Sequence, residues 1–542
     1  MKLSDGVQLM SDIYRPENDG ALPVLLMRQP YGREIASTVV YAQPEYFARA
    51  GFIVVIQDVR GRGDSEGTFY PFTNERQDGH ESIAWAANLA GSDGRVCMYG
   101  FSYQAYTQLA VLKDKPNALV AIAPHMAAAD LFNGWFYQNG ILRLSTTLSW
   151  GNQMLREDAW RCGATESATA LEKAHIAGGS LAQSLPVADV DPLCRADLPS
   201  YVKDWLAHPQ NGDFWKTLDC SAALAESDVA VFHLAGYYDY YSEGSTLAYK
   251  CRKDTTNDFF LLAPWKHIPW ERWMSGIDFG PDLRIDTDEM LVDFFNARLG
   301  RDELKQSGAR YFVIGENKWR SAPQWPPESS DLSFHLSSQG NANSSFGDGV
   351  LLAHADTHTT SDHFVYDPTV PVTAPGGMSP EWGPVNLQRQ QQSNSLLIYD
   401  TEKFETAVTI AGHAELVLHV DTTAVATDFV ARLSWLRDDG SALFLTMAAA
   451  STNDLSREST GELVITLKFA ATAITLSAGE ALRLDIASSA FPLLARHPNT
   501  MTDRAQVKNP SQFLRARQTV LHDTLRPSIL TLPVIDRDSR SV

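Results

Sequence analysis

The stretch Arg95-Val-Cys-Met-Tyr-Gly-Phe-Ser-Tyr-Gln-Ala105 joins a short apolar run directly to a helix-compatible segment. Residues 96–99 have the composition of a buried strand, and residues 103–113 have that of a helix. A serine at such a sharp turn, here Ser102, is held with its hydroxyl above the sheet edge and close to the first N–H groups of the helix. Ser102 is therefore a candidate nucleophile, and a serine capping an ordinary strand-to-helix connection is the alternative.

The segments on either side of this turn alternate between strand and helix patterns. Residues 22–27 and 52–57 are continuous apolar runs of the kind buried in a parallel sheet, and each ends in a polar loop. Residues 41–50 and 74–90 have helical patterns. This alternation predicts an α/β fold with a mostly parallel sheet, helices on both faces and ligands bound beyond the strand C-termini.

The remainder of the chain predicts two further regions. Residues 131–221 lack strand patterns and carry large apolar side chains at helical spacing, which indicates an inserted helical cap. Beyond residue 306, short alternating strands separated by turns favour an antiparallel β-sandwich. The predicted domains are thus an α/β catalytic domain (1–130 and 222–305), a helical cap (131–221) and a C-terminal β domain (306–542).

Composition limits the partners. The 542 residues carry a formal net charge of −20, which argues against a nucleic acid or an anionic membrane surface as a partner. Five irregularly spaced cysteines, without a C-x-x-C pair, favour a reduced compartment over a disulfide framework or a thiolate zinc site. With no apolar leader segment at the N-terminus, we expect a cytoplasmic protein. The sequence is compatible with a homo-oligomer as well as with a monomer.

A nucleophilic serine needs a base and an acid that orients the base. In an α/β-hydrolase sheet these follow in the order Ser, Asp, His, each directly after a later strand. Asp239 follows the apolar run 229–235, and His267 follows the run 259–263. We therefore interpret them as the orienting acid and the base, the alternatives being a turn aspartate and a surface-loop histidine.

The oxyanion of an acyl-transfer reaction also requires hydrogen-bond donors. The backbone N–H of Tyr103 is one candidate because of its position after Ser102. The loop after the first long strand has no glycine run to offer amides, but it contains a phenol, Tyr31. Tyr31 is the second candidate donor, and a tyrosine packed only for its ring is the alternative.

Several motifs together make the chain similar to the CocE/NonD family of serine hydrolases, which includes esterases, β-lactam acylases, α-amino-acid ester hydrolases and, more distantly, X-prolyl dipeptidyl peptidases. These motifs are Arg28-Gln-Pro-Tyr31, Gln57-Asp-Val-Arg-Gly-Arg-Gly-Asp-Ser-Glu-Gly67, Gly100-Phe-Ser-Tyr103, Gly236-Tyr-Tyr-Asp239, Pro264-Trp-Lys-His267 and Tyr366-Asp-Pro368. The resemblance implies an α/β-hydrolase domain, a helical cap and a C-terminal jelly roll. It also implies Ser102 as nucleophile, His267 as base, Asp239 as its orienting acid, and Tyr31 with Tyr103 as the oxyanion hole.

The sequence departs from the family pattern at two places. Ala105 stands three residues after the serine, where the family usually has glycine, and a single methyl group there is expected to be tolerated. The α-amino-acid ester hydrolases carry acidic residues just after the catalytic aspartate, whereas Tyr240, Tyr241 and Ser242 follow Asp239 here. A substrate with a cationic α-amine therefore lacks an obvious charge partner.

Aromatic residues of the cap, together with Tyr241 of the catalytic domain, are candidates for the substrate pocket, with core packing as the alternative. The substrate-binding candidates are Trp135, Phe136, Trp150 and Tyr241. A second group invites a metal interpretation, but its spacing matches no metal motif and its Thr- and Ser-rich context predicts a solvated loop. That group is His354, Asp356, His358, Asp362 and His363. No metal is therefore expected.

The sequence predicts a serine hydrolase that cleaves a carboxylic ester or amide of a small acyl substrate through an acyl-enzyme. No phosphate loop or dinucleotide fingerprint is present, so no cofactor is expected. The first alternative is an X-prolyl dipeptidyl peptidase or a β-lactam-type acylase that acts on amides. An alternative from another class is a non-catalytic binding protein whose serine elbow is a relic.

Overall fold

The computed structural model describes residues 1–17, 20–34, 36–355, 361–374, 383–453 and 462–535. Strands and helices alternate through the first 125 residues, as the sequence predicts. These elements are β1 (Ser11–Tyr14), β2 (Leu22–Gln29), α1 (Pro44–Arg49), β3 (Ile53–Asp58), α2 (Glu75–Ala87), β4 (Ser92–Phe101), α3 (Tyr103–Ala110) and β5 (Leu119–His125).

A largely helical segment follows β5 and separates it from the next strand of the same sheet. Its elements are the hairpin β6 (Tyr137–Gln138) and β7 (Ile141–Leu142), then α4 (Leu144–Arg161), α5 (Thr165–Ile176), α6 (Tyr201–Ala207), α7 (Asp213–Leu218) and α8 (Ser221–Ala225). Its large aromatic residues, such as Trp205 and Trp215, share one apolar core with residues of β2 and β4. The segment is therefore packed onto the catalytic sheet.

The chain then returns to the sheet. The next elements are β8 (Ala230–Gly236), α9 (Ser242–Lys250), β9 (Phe259–Ala263), the hairpin β10 (Trp273–Met274) and β11 (Ile277–Asp278), α10 (Thr287–Arg298), β12 (Gly308–Val313) and β13 (Lys318–Ala322). In the described part of the chain, the sheet has nine strands in the order β1-β3-β2-β4-β5-β8-β9-β12-β13. All neighbours from β3 to β12 run parallel, and the edge strands β1 and β13 are antiparallel.

The catalytic sheet extends beyond the predicted boundary at residue 305. Gly308 pairs with Phe259 and Tyr311 pairs with Leu262, so β12 continues the parallel sheet and β13 closes it. The boundary predicted at residue 305 therefore lies before the last two strands of this sheet.

The remaining described strands form a mostly antiparallel β domain. They are β14 (Ser330–Ser337), β15 (Val350–Leu352), β16 (Ser361–Tyr366), β17 (Leu397–Thr401), β18 (Val408–Gly412), β19 (Glu415–Thr422), β20 (Asp428–Leu436), β21 (Ala442–Ser451), β22 (Leu463–Lys468), β23 (Thr472–Leu476), β24 (Ala481–Ala487), β25 (Ala516–Leu521) and β26 (Ile529–Ile535). In β22, buried and exposed side chains alternate strictly, whereas every residue of β2 is buried. A strand with one solvated face alternates, and a strand covered on both faces does not.

None of the helices that the structure describes combines the length and the apolar character needed to cross a membrane.

Candidate active site

Ser102 connects β4 to α3 in a strained backbone conformation. Its φ is 59°, a left-handed value that non-glycine residues rarely adopt. The Ser102 N–H donates to the carbonyl of His125 at 2.9 Å, which ties the turn to the neighbouring strand β5. Because strain of this kind persists only where the surroundings enforce it, the turn is built to hold the serine in place.

Gln104 replaces the second glycine of the elbow motif without opening the turn. Its Oε1 accepts a hydrogen bond from the Phe101 N–H at 3.2 Å. A Cβ added to Gly100 would lie 2.5 Å from the Cβ of Gln104, so the first glycine makes room for this side chain. Ala105 is fully buried in the helix–sheet contact, which accommodates its methyl group.

The loops that carry Asp239 and His267 are joined to each other by backbone contacts. The Tyr237 N–H donates to the carbonyl of Ala263 at 2.8 Å, and the Tyr238 N–H donates to that of Trp265 at 3.1 Å. A Cβ on Gly236 would lie only 2.3 Å from the Trp265 carbonyl oxygen. Close approach at this glycine therefore fixes the two loops relative to each other.

His267 and Asp239 form a short, largely buried pair. The distance from His267 Nδ1 to Asp239 Oδ1 is 2.7 Å, and Asp239 is fully buried. Aromatic rings of Phe101 and Tyr241 lie 5.3 Å and 5.2 Å from the imidazole ring. The carboxylate occupies Nδ1 and the rings limit rotation, so the imidazole is left with Nε2 for a second partner.

Tyr31 lies in the loop after β2 and lines the same cavity as Ser102 and His267. Its hydroxyl accepts a hydrogen bond from Trp150 Nε1 at 3.2 Å. Burial raises the pKa of Tyr31 to about 12, so the phenol keeps its proton at neutral pH. It can therefore act as a hydrogen-bond donor beside the serine.

Tyr103 uses its side chain and its backbone differently. The Tyr103 hydroxyl donates to Glu75 Oε1 at 2.8 Å and accepts from the Phe72 N–H at 2.8 Å. Tyr103 is also the first residue of α3, where N–H groups have no acceptor within the helix. Its side chain thus holds the helix start, while its N–H stays at the mouth of the elbow.

The candidate nucleophile and base open onto a cavity of about 670 Å³. Ser102, His267, Tyr31, Trp150 and Tyr241 all line it. The volume is typical of pockets that bind small organic ligands. The sequence-predicted nucleophile, base and phenol are thus brought together with two of the four predicted pocket aromatics.

The other two predicted pocket residues lie outside this lining. The ring of Trp135 packs 4.2 Å from that of Tyr241, and the ring of Phe136 packs 4.7 Å from that of Trp205. Both side chains are buried. Trp135 therefore supports the cavity wall through Tyr241 and does not form the wall itself.

Sequence reasoning missed the polar part of the wall. Gln153 and Arg156 on α4 and His175 on α5 line the cavity. The two α4 residues lie three and six positions after Trp150, so helical spacing from that tryptophan could have indicated them. No sequence pattern indicates His175, because α5 is brought to the cavity only by its packing against α4.

The described members of the His- and Asp-rich group at residues 354–363 lie in different surroundings. His354 lies in a loop, but Asp362 is buried on β16, where its Oδ2 accepts from the Tyr399 hydroxyl at 2.8 Å and pairs with His522 Nε2 at 2.9 Å. The sequence predicts a loop over this whole group, but the strand β16 begins at Ser361. The strand is only six residues long, so its alternating pattern is a weak signal in the sequence. Asp356 and His358 lie outside the described residues. Within those residues, no group of three or more His, Cys, Asp or Glu side chains could hold a metal ion.

Two family models match the chain. The X-Pro dipeptidyl-peptidase model of the S15 family matches residues 5–269, and the model of the X-Pro dipeptidyl-peptidase C-terminal non-catalytic domain matches residues 305–531. The cocaine esterase of Rhodococcus sp. (strain MB1 Bresler) is 29% identical, over 99% of this chain and 97% of its own length.

Solved structures share the fold over nearly the whole chain. An α-amino-acid ester hydrolase superposes with a TM-score of 0.79 at 20% identity, covering 98% of this chain and 95% of its own. A CocE/NonD family hydrolase from Staphylococcus aureus superposes with a TM-score of 0.72 at 16% identity, covering 99% and 92%. The α/β-hydrolase fold with a C-terminal β domain is therefore confirmed. Because the two family models together span most of the chain and the cocaine esterase aligns over nearly all of it, the chain belongs to the S15/CocE family of serine hydrolases.

Proposed function

We propose that this protein hydrolyses a carboxylic ester through an acyl-enzyme formed on Ser102. The observation that carries the proposal is the pairing of His267 Nδ1 with Asp239 Oδ1 at 2.7 Å, beside a strained serine in the same cavity. A serine elbow, an oriented imidazole and a buried carboxylate are the groups that this reaction requires.

In the proposed mechanism, Ser102 Oγ attacks the substrate carbonyl carbon as His267 Nε2 takes its proton. The oxyanion accepts hydrogen bonds from the Tyr31 hydroxyl and the Tyr103 N–H. His267 then gives the proton to the departing alkoxide, which leaves as the alcohol and an acyl ester on Ser102. A water molecule then attacks the acyl ester while His267 takes a proton from that water. The tetrahedral intermediate that results breaks down to release the acid, and His267 returns the proton to Ser102. Asp239 holds the imidazole orientation throughout and stabilises the imidazolium.

Amide cleavage is the second candidate within the same chemistry. The match to the X-Pro dipeptidyl-peptidase model favours it. A substrate with a free α-amine would need an acidic partner, and no aspartate or glutamate is among the described residues that line the cavity. We therefore place ester hydrolysis first. The binding-protein alternative is not retained, because the relatives in this family are hydrolases.

The test compares matched p-nitrophenyl esters and p-nitroanilides with the wild-type protein and with Ser102→Ala. The proposal expects ester turnover that exceeds amide turnover and is lost in the variant. A fluorophosphonate probe should label the wild-type protein and leave Ser102→Ala unlabelled. Turnover or labelling that survives in Ser102→Ala would assign the nucleophile to another residue.

A further inference from the structure

One face of α4 forms a wall of the cavity. The residues of this helix that line the cavity recur every three or four positions, which is the spacing of a single helical face. They are Thr146, Ser149, Trp150, Gln153 and Arg156. Trp150 Nε1 donates a hydrogen bond to the Tyr31 hydroxyl, which places Trp150 near the catalytic serine. Arg156 lies six residues further along the same helix, about 9 Å from Trp150 along the helix axis.

Two basic side chains lie toward the Arg156 end of this wall. Arg156 contributes a guanidinium, and His175 on α5 adds an imidazole that lines the same cavity. None of the described lining residues is an aspartate or a glutamate, although the whole chain carries a net charge of −20. A cleft lined by one sign of charge selects ligands of the opposite sign.

Arg156 is held in place but is not saturated. Its Nη2 lies 2.5 Å from Glu172 Oε2, and Glu172 is not among the lining residues. A guanidinium has five N–H donors, and the contact with Glu172 is made through Nη2, so Arg156 retains donors for another acceptor. With 29% of its side chain exposed, it is anchored on one side and open to the cavity on the other.

We propose that Arg156, with His175 lining the same cavity, binds a carboxylate on the substrate, at the end remote from the scissile carbonyl. The substrate class is then an ester that carries an acidic group on either its acyl or its alcohol part. A planar guanidinium forms paired, charge-assisted hydrogen bonds with a carboxylate, which gives orientation as well as affinity. This inference rests on the proposed ester hydrolysis at Ser102.

The experiment uses pairs of esters that differ only in the remote group. For the acyl side, the mono-p-nitrophenyl ester of adipic acid is compared with p-nitrophenyl hexanoate and with the p-nitrophenyl ester of an aminohexanoic acid with a terminal amine. For the alcohol side, para-acetoxybenzoate is compared with its methyl ester. We expect one of the two acidic esters to be preferred over its neutral partner and the amine-bearing ester to be the poorest of its series.

The variants change the charge at the cavity end in opposite directions. Arg156→Gln should lower the ratio of acidic-ester to neutral-ester kcat/KM by about tenfold, mainly through KM, because a hydrogen bond to a charged group is lost. Glu172→Gln removes the competing carboxylate and should raise that ratio. Glu166→Gln makes the same charge change at the exposed start of α5, away from the lining residues, and should leave the ratio unchanged.

The outcomes separate this inference from the proposed function. Equal use of acidic and neutral esters by the wild-type protein, or an unchanged ratio in Arg156→Gln, would overturn the carboxylate subsite while ester turnover stayed dependent on Ser102. Loss of neutral-ester turnover in Ser102→Ala supports the proposed function whichever way the ratio moves. Turnover that persists in that variant would remove the basis of both.

Discussion

The indole Nε1 of Trp150 donates a hydrogen bond to the Tyr31 hydroxyl at 3.2 Å. A phenol has one proton, and an oxygen that accepts from an indole must direct that proton elsewhere. Ser102 lines the same cavity and lies close enough to the Tyr31 hydroxyl to lower its pKa in part. Trp150 is itself fixed by stacking on Trp205, with ring centroids 5.3 Å apart. The cap therefore orients a donor of the catalytic domain toward the serine.

Replacing Tyr31 tests this donor directly. Tyr31→Phe should reduce kcat by about 100- to 1000-fold, the range for loss of one oxyanion donor, with a much smaller change in KM. Initial rates on an activated ester over a range of concentrations would measure both constants. An unchanged kcat would exclude the hydroxyl from the oxyanion hole, and circular dichroism would show whether the variant is folded.

The pH dependence of that loss provides a separate prediction. Burial raises the pKa of Tyr31 to about 12, and a phenol donates its proton only below its pKa. The ratio of wild-type kcat to that of Tyr31→Phe should therefore stay constant between about pH 7 and about pH 10, whereas an ordinary tyrosine would be half ionised near pH 10. If the ratio of the two kcat values fell by half near pH 10, the Tyr31 phenol would not stay protonated in the folded protein as its raised pKa predicts.

Trp150→Phe removes the indole N–H while retaining an aromatic ring against Trp205. We expect kcat to fall by about tenfold, the loss of a bond worth about 1 kcal/mol or slightly more that orients the phenol. In a double-mutant cycle, Trp150→Phe should lower kcat little further once Tyr31→Phe is present, because the two act through one hydroxyl. Additive losses in kcat would instead assign Trp150 an independent role, such as substrate contact.

Local patterns were sufficient to predict the arrangement of the catalytic strands. The runs before Ser102, Asp239 and His267 are continuous and apolar because parallel strands are covered on both faces, and this leaves a strong signal in the sequence. Since the carboxyl ends of such strands meet at one edge of a sheet, chain order alone brought the three residues together.

The cap was harder to predict because its contacts join residues distant in the chain. Helical spacing identifies a helix with an apolar face but not which of its faces meets the catalytic sheet. Trp135 and Trp150 look equivalent in the sequence, yet Trp150 lines the cavity and Trp135 packs behind Tyr241. Arg156 and His175 line one cavity only because α4 packs against α5, and no sequence motif records that packing.

A buried ion pair beside the Asp239 loop makes a prediction for stability. Arg143 Nη2 lies 3.0 Å from Glu243 Oε2, and its Nη1 donates to the Tyr240 carbonyl at 3.0 Å. Only 1% of the Arg143 side chain is exposed. Arg143→Met should therefore destabilise the protein by about 3 kcal/mol, because it leaves the carboxylate of Glu243, only 21% exposed, without its partner.

The matched control for that prediction removes both charges. Arg143→Met combined with Glu243→Leu should be less destabilised than Arg143→Met alone, since no uncompensated charge is then buried. Urea unfolding midpoints of the wild-type protein, of each single variant and of the double variant would measure the difference. A double variant that loses as much stability as the sum of the two single variants would indicate that the two side chains act independently.

Gly236 makes the final prediction, because it lies where the Asp239 and His267 loops touch. An alanine Cβ there would be 2.3 Å from the Trp265 carbonyl oxygen, whereas ordinary contact begins near 3.4 Å, so one loop must move by about 1 Å. A displacement of about that size near reacting groups costs on the order of 100-fold in rate. Gly236→Ala should therefore lower kcat by about 100-fold, while Gly179→Ala, whose Cβ would meet no atom within 4 Å, should leave kcat unchanged. Full activity in Gly236→Ala would mean that the loop after β8 can shift without separating His267 from Asp239.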